Sequence, residues 1–154
     1  MKIEIDLENE SDTERFGQRL AELLPACVVE LNGTLGAGKT RLVRAIATAL
    51  GADPKDVTSP TFTIWQTYAV DPTIHHLDAY RIKDEDEFDQ LGVDEVFEVD
   101  AIVFIEWAER VEACLPKTNR LAIELEVVSD EARHATLVTE DEQIAKVIGS
   151  LADF

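Results

Sequence analysis

Gly33-Thr-Leu-Gly-Ala-Gly-Lys-Thr40 is the stretch that decides the fold. It satisfies the pattern G-x-x-x-x-G-K-[ST], and its flanks supply the context this pattern requires. Before it runs Ala26 to Leu31, an apolar segment that reads as a buried strand. After it, from Lys39 to Leu50, the residues Leu42, Val43, Ile46 and Leu50 fall on one helical face, and Gly51 signals the helix end. Glycines let the backbone curl until successive N–H groups point inward, and the helix N-terminus adds the positive end of its dipole. Both suit phosphate oxygens. Lys39 is then placed to reach terminal phosphates, and the Thr40 hydroxyl to ligate Mg²⁺. Average composition yields such a match by chance in on the order of one in a few hundred chains of this length, before the flanking elements are required. The stretch therefore predicts a site for ATP and Mg²⁺ between a strand and a helix.

Outward from this loop the elements alternate. Ile3, Ile5 and Leu7 alternate with acidic residues as in a half-buried strand, and Ser11-Asp-Thr-Glu14 has the form of a capping box for a helix reaching about Leu24. Pro25 closes that helix. Residues 51 to 61, with Pro54, Thr58, Ser59, Pro60 and Thr61, read as a polar loop without regular structure. Strands are expected over Phe62 to Tyr68, Ile74 to Ile82 and Ala101 to Ile105, the last an unbroken apolar run buried on both faces. Short helices are expected over Asp84 to Leu91 and Ala108 to Leu115. A hairpin of Leu121 to Val128 with His134 to Thr139 follows, and a helix from Asp141 to Leu151 closes the chain. With no internal repeat or linker, this alternation over residues 1–154 argues one domain, an α/β sandwich with a mixed sheet.

The charge balance is strongly negative, 14 Lys and Arg against 32 Asp and Glu. The mean surface field repels phosphate backbones, so contact with a nucleic acid is expected to run through a partner protein. No run approaches the length of a membrane span, and the first residues alternate apolar and charged side chains rather than forming an apolar leader. Cys27 and Cys114 lack metal or redox spacing and read as buried free thiols, which suits a reducing cytoplasm.

A phosphate loop of this kind works with a carboxylate for the metal, supplied from the C-terminal edge of a neighbouring strand. Asp78 and Glu106 each end an expected strand, where solvated charge does not usually lie. Both are candidates for holding the metal and supporting hydrolysis. His75 and His76 have no third histidine at ligand spacing and read as core or hydrogen-bonding residues. Trp65 and Trp107 are aromatic neighbours of apolar strands, and Trp107 gains interest from its place beside Glu106.

Taken in series, Leu35 to Thr40, Ser59-Pro-Thr-Phe-Thr63, His76-Leu-Asp-Ala-Tyr-Arg81, Glu87 to Gly92 and Ile105-Glu-Trp107 resemble the bacterial TsaE (YjeE) ATPases. These take part in making threonylcarbamoyladenosine on tRNA. The resemblance implies a three-layer P-loop NTPase sandwich with a mixed, mainly parallel central sheet. It also implies ATP and Mg²⁺ as cofactors, weak hydrolysis, and work beside TsaB and TsaD type subunits that themselves carry the transfer chemistry. Carried over by position, Gly36, Ala37, Gly38, Lys39, Thr40 and Arg41 hold the nucleotide, Thr40, Glu106 and Asp78 hold the metal, and Lys39, Asp78 and Glu106 serve turnover. Thr13 and Arg133 match positions near the adenine end. Thr61 falls in the segment Ser59 to Thr63, which looks like a switch that senses the γ-phosphate.

Two other classes compete. A nucleotide-gated binding module would use ATP to order the 58 to 63 loop, with hydrolysis incidental. A small-molecule kinase would share the phosphate loop but generally brings an Arg-rich lid, and no two Arg from residue 81 onward lie closer than ten positions.

Overall fold

The computed structural model describes residues 1–58, 63–97 and 100–154. Strands β1 (Lys2–Leu7), β2 (Cys27–Asn32), β3 (Trp65–Tyr68), β4 (Thr73–Asp78), β5 (Ala101–Glu106), β6 (Arg120–Val127) and β7 (Arg133–Val138) form one sheet. Its order is β1-β7-β6-β2-β5-β4-β3. The central strands β6, β2, β5 and β4 run parallel, and β1, β7 and β3 add antiparallel edges. Parallel strands need covered faces. On one face lie α1 (Glu10–Leu23), α2 (Lys39–Ala49) and α4 (Glu142–Gly149), burying Phe16, Leu20, Leu42, Ile46 and Ile144 against Val29, Leu31, Ile102 and Phe104. On the other face α3 (Glu85–Gln90) and 3₁₀ segments at Val93–Phe97 and Ala108–Cys114 close Phe88, Val93 and Val111 over Val28, Val103 and Ile105. This is the expected three-layer sandwich.

Along β5 the side chains alternate between these two cores, which is why its run is apolar throughout. The helix α2 carries its fully buried Leu42, Val43, Ile46 and Ala47 toward the sheet. Burying side chains of the Leu or Ile kind is worth about 1.5–3 kcal/mol each. Helix α1 packs on α2 through Gly17, where an added Cβ would stand 2.5 Å from the Ala45 Cβ. Only glycine admits that approach.

Several expected boundaries shift for local reasons. The first helix starts earlier than the Ser11 capping box, because Asn9 is the cap: its side chain accepts the Asp12 N–H, and Asp12 reaches back to the Glu8 N–H. The strand expected to run to Ile82 stops at Asp78, whose Oδ1 accepts the Tyr80 N–H at 2.8 Å and turns the chain. The helix expected over 108–115 is a pair of 3₁₀ turns broken at Val111, with φ −128°. The loop from residue 51 contains one 3₁₀ turn, Pro54–Asp56, capped by Asp53. Phe62, expected to open a strand, lies outside the described residues; the strand that is described starts at Trp65.

Cys27 is buried, and burial first, then Asp141, pushes its thiol up to about 12. Cys114 is only half-buried, contrary to the expectation, because the 3₁₀ turns leave its sulfur at the surface, 3.5 Å from the Glu85 carbonyl. Among the described residues, no helix is long and apolar enough to cross a membrane.

Candidate functional site

The strand β2 lies at the middle of the parallel strands, and the Gly-rich loop leaves its C-terminal edge. Gly33 sits at φ +145°, and a Cβ there would meet the Leu125 carbonyl at 2.6 Å, so the turn out of the strand excludes any side chain. Gly38, at φ +100°, is the N-cap of α2, a left-handed position that favours glycine. Around Gly36 and Gly38 an added Cβ would meet nothing within 4 Å, so at these two positions it is the left-handed backbone, and not crowding, that favours glycine. The Ala37 N–H donates back to the Thr34 carbonyl, and Ala37 itself is buried under the loop.

Lys39 is buried at the mouth of this loop. Its Nζ donates to the Gly33 carbonyl at 2.7 Å, stands 3.6 Å from Glu106 Oε1 and lies 5.4 Å from the centre of the Trp107 ring. A buried ammonium needs such partners, since desolvation of an unpaired charge is costly. Glu106 is buried at the end of β5, and its second oxygen, Oε2, is 2.8 Å from His76 Nε2. Trp107 then enters a left-handed conformation, φ 58°, and its ring lies 5.0 Å from that of Tyr80.

Asp78 ends β4 at the same level, paired in register with Glu106. Both are buried polar residues at the C-terminal edge. His75 turns the other way and has cross-strand partners: its Nδ1 lies 3.1 Å from Trp65 Nε1 and 3.0 Å from Thr67 Oγ1. Burial lowers its pKa. Both histidines are thus hydrogen-bonding core residues, and Trp65 is a packing and hydrogen-bonding partner.

The remaining expected site residues are placed around this centre. Thr40 occupies the first turn of α2, and Arg41 beside it is ion-paired with Glu10 at 3.0 Å. That pair sets the first turns of α1 and α2 side by side, with buried Thr13 in α1 three residues on from Glu10. Arg133, at the start of β7, is engaged with the outside of the loop: Nε donates to the Ala37 carbonyl at 2.9 Å and Nη2 to the Gly36 carbonyl at 3.3 Å. Thr61 and the rest of 59–62 lie outside the described residues. Sequence reasoning missed a cleft of about 440 Å³ lined by Asn32, Gly33, Lys39 and Trp107 and by the acids Glu30, Glu109, Glu112 and Glu124. Glu109 and Glu112 are neighbours on one 3₁₀ segment, but only the pairing of β2 with β6 and the fold of that segment bring Glu30 and Glu124 to them, so no linear signal marks the group. Arg120 is paired with two of these acids, Glu30 and Glu112.

The residues fit the cofactors the loop implies. Thr40, Asp78 and Glu106 offer hard oxygen donors of the kind Mg²⁺ prefers, and with only two carboxylates among them the remaining ligands would have to come from phosphate oxygens and water. The Gly-rich loop, the N-terminus of α2 and Lys39 are suited to phosphates.

Fold and loop together define an α/β protein of the P-loop NTPase sandwich class. A crystal structure of Bacillus subtilis YdiB is similar over 99% of this chain and 95% of that one, with a TM-score of 0.80 and 28% identity. A family model described as "Threonylcarbamoyl adenosine biosynthesis protein TsaE" matches residues 7–135. The chain belongs to the TsaE family. Relatives bearing the name tRNA threonylcarbamoyladenosine biosynthesis protein TsaE include one from Haemophilus influenzae, 34% identical over 90% of each chain. Another, from Streptomyces coelicolor, is 41% identical over 79% of this chain and 86% of its own.

Proposed function

We propose that this chain is the ATP-binding, weakly hydrolysing subunit of the machinery that forms N6-threonylcarbamoyladenosine in tRNA. The observation that carries the reading is the meeting of Lys39, at the mouth of a Gly-rich loop, with Glu106 at the end of the neighbouring parallel strand. This is the placement phosphoryl-transfer sites use for a phosphate-binding lysine and a metal-side carboxylate. Family membership supplies the pathway.

Mg²⁺, which Thr40, Glu106 and Asp78 would hold, would supply positive charge to stabilise the phosphoryl group in transfer. The chain's own residues then have distinct tasks. Backbone N–H groups of Gly36, Ala37, Gly38 and Lys39 cradle phosphates, and the Lys39 ammonium exchanges its bond to the Gly33 carbonyl for the terminal phosphates. Thr40 and Glu106 hold the metal, and Asp78, held by the Tyr80 N–H, supports the metal or orients water. Arg41 follows Thr40 in α2 and is paired with Glu10 of α1, and Thr13 and Arg133 are the residues proposed to lie near the adenine end. Thr61 belongs to the segment proposed to sense the γ-phosphate.

The nucleotide state is proposed to be passed to TsaB and TsaD type subunits, which touch the tRNA in place of this acidic chain, in the cytoplasm. The net charge of −18 favours that indirect route. The decisive experiment depletes the protein in its host and measures threonylcarbamoyladenosine in bulk tRNA. Loss of the modification, restored by the wild-type chain and not by Lys39→Ala, is the expected result. An unchanged modification level overturns the reading.

A further inference from the structure

His76 is fully buried in β4, beside Phe104 of β5 in register and on the helix-covered face with Ile74 and Ile102. An apolar side chain suits such a place. A polar one belongs there only if its hydrogen bonds are made, and those of His76 are half made. Nε2 lies 2.8 Å from Glu106 Oε2, whereas Nδ1 is buried with no hydrogen-bond partner among the described residues. Because a carboxylate accepts, the proton on this contact sits on Nε2. The one hydrogen bond that this buried side chain makes among the described residues is directed at Glu106.

The geometry of Glu106 shows what that bond does. Its two oxygens are divided: Oε2 is taken by His76, and Oε1 faces the Lys39 ammonium at the loop. Without the imidazole, rotation about the last side-chain torsion would let either oxygen, or neither, face the loop.

We propose that His76 is a positioning residue for Glu106, fixing the carboxylate so that one oxygen is presented to the nucleotide's metal. The proposal rests on the nucleotide reading above and goes beyond it by assigning metal affinity to a residue that touches neither metal nor phosphate. Outer partners of metal ligands characteristically control affinity about 10- to 100-fold.

The test compares His76→Met with His76→Gln in the full-length chain. Both side chains have similar length, and only Gln keeps a donor that can reach Oε2. Binding of a non-hydrolysable ATP analogue is followed by calorimetry at a series of Mg²⁺ concentrations and again with chelator. His76→Met is expected to raise the half-saturating Mg²⁺ concentration about 10- to 100-fold, with chelated-nucleotide affinity and Tm close to wild type, and His76→Gln to recover most of the loss. A wild-type Mg²⁺ dependence in a folded His76→Met variant, or the same loss in Met and Gln, overturns the proposal while leaving the nucleotide reading intact. Nucleotide binding by the wild type that ignores Mg²⁺ overturns the proposal, and no nucleotide binding by the wild type at any Mg²⁺ concentration overturns the nucleotide reading as well. Should His76→Met fail to fold, the imidazole ¹⁵N spectrum of the wild type reads the contact directly. The Nε2 resonance of His76 is expected to move when Mg²⁺ is added to the analogue complex, and a resonance that stays still overturns the proposal.

Discussion

Asp78 and Glu106 stand opposite one another at the last rung of β4 and β5, two buried carboxylates on adjacent parallel strands beside the Gly-rich loop. Their surroundings differ. Glu106 is bound by His76 and faces Lys39, while Asp78 accepts a backbone N–H from Tyr80. Both end at the same edge as the Gly-rich loop, where the proposed function assigns them the metal.

Neutralising either, as Asp78→Asn or Glu106→Gln, is therefore expected to lower Mg²⁺-dependent ATP turnover by at least tenfold while chelated-nucleotide binding changes little. Steady-state hydrolysis across Mg²⁺ concentrations, with calorimetry in chelator, separates the two effects. Wild-type turnover and Mg²⁺ dependence in both variants would assign the metal to other acids.

Lys39→Ala removes the one buried ammonium at the loop mouth. Charged hydrogen bonds are worth about 1.5–3 kcal/mol, so ATP affinity is expected to fall roughly 10- to 150-fold. The variant also leaves Glu106 without its ion partner, which makes a small drop in Tm part of the expected outcome. Unchanged affinity together with unchanged hydrolysis would remove Lys39 from the site.

On β7, next to Arg133, His134 ties that strand to β1 by a hydrogen bond of 2.7 Å to Asp6. That bond first, and then the charges of Asp6, Glu4 and Glu126, raises its pKa above the ordinary 6.5. A raised histidine contributes stability that is fully present below the unfolded value and is lost as pH climbs through the higher folded value. The difference in Tm between wild type and His134→Asn should be greatest near pH 6, about where unfolded histidine is still charged, and shrink toward pH 8.5 or so. A difference that stays constant over this window would show that the imidazole acts by packing alone.

How much of this was legible before folding depends on the range of the interaction. The loop and its two strand-end acids were readable, because phosphate chemistry and strand burial each leave a local signature at Gly33 to Thr40, Asp78 and Glu106. Strand order was not, since nothing in the runs of β4, β5 and β6 states which of them flanks β2. The same limit hid the partner of His76, thirty residues away on β5, and the reason for Gly17, which appears only when α1 meets α2. Asn9 and Ser11 are both good cap residues by type, and only the backbone decides between them.

Arg133 shows how tertiary placement changes what a residue can be asked to do. By position it belonged with the nucleotide-binding residues, yet in the fold its guanidinium is spent on carbonyls: those of Ala37 and Gly36 in the loop, and those of Ser129 and Ala132 at the hairpin. A carbonyl held from outside turns its peptide so that the following N–H points toward the loop interior, where a phosphate would sit. Arg133 is thus suited to hold the loop in its binding shape from behind. Its removal should then weaken nucleotide binding to a similar degree with and without Mg²⁺, unlike any change at Glu106. Loss of these bonds in Arg133→Ala is expected to cost about 1 kcal/mol of binding free energy, or roughly fivefold in affinity. Arg133→Lys should recover little, because an ammonium lacks the planar fork that meets two carbonyls at once. Calorimetry of both variants with ATP in Mg²⁺ and in chelator decides the point. A loss confined to the Mg²⁺ form, or full recovery by lysine, would show that Arg133 acts on the bound ligand and not on the loop.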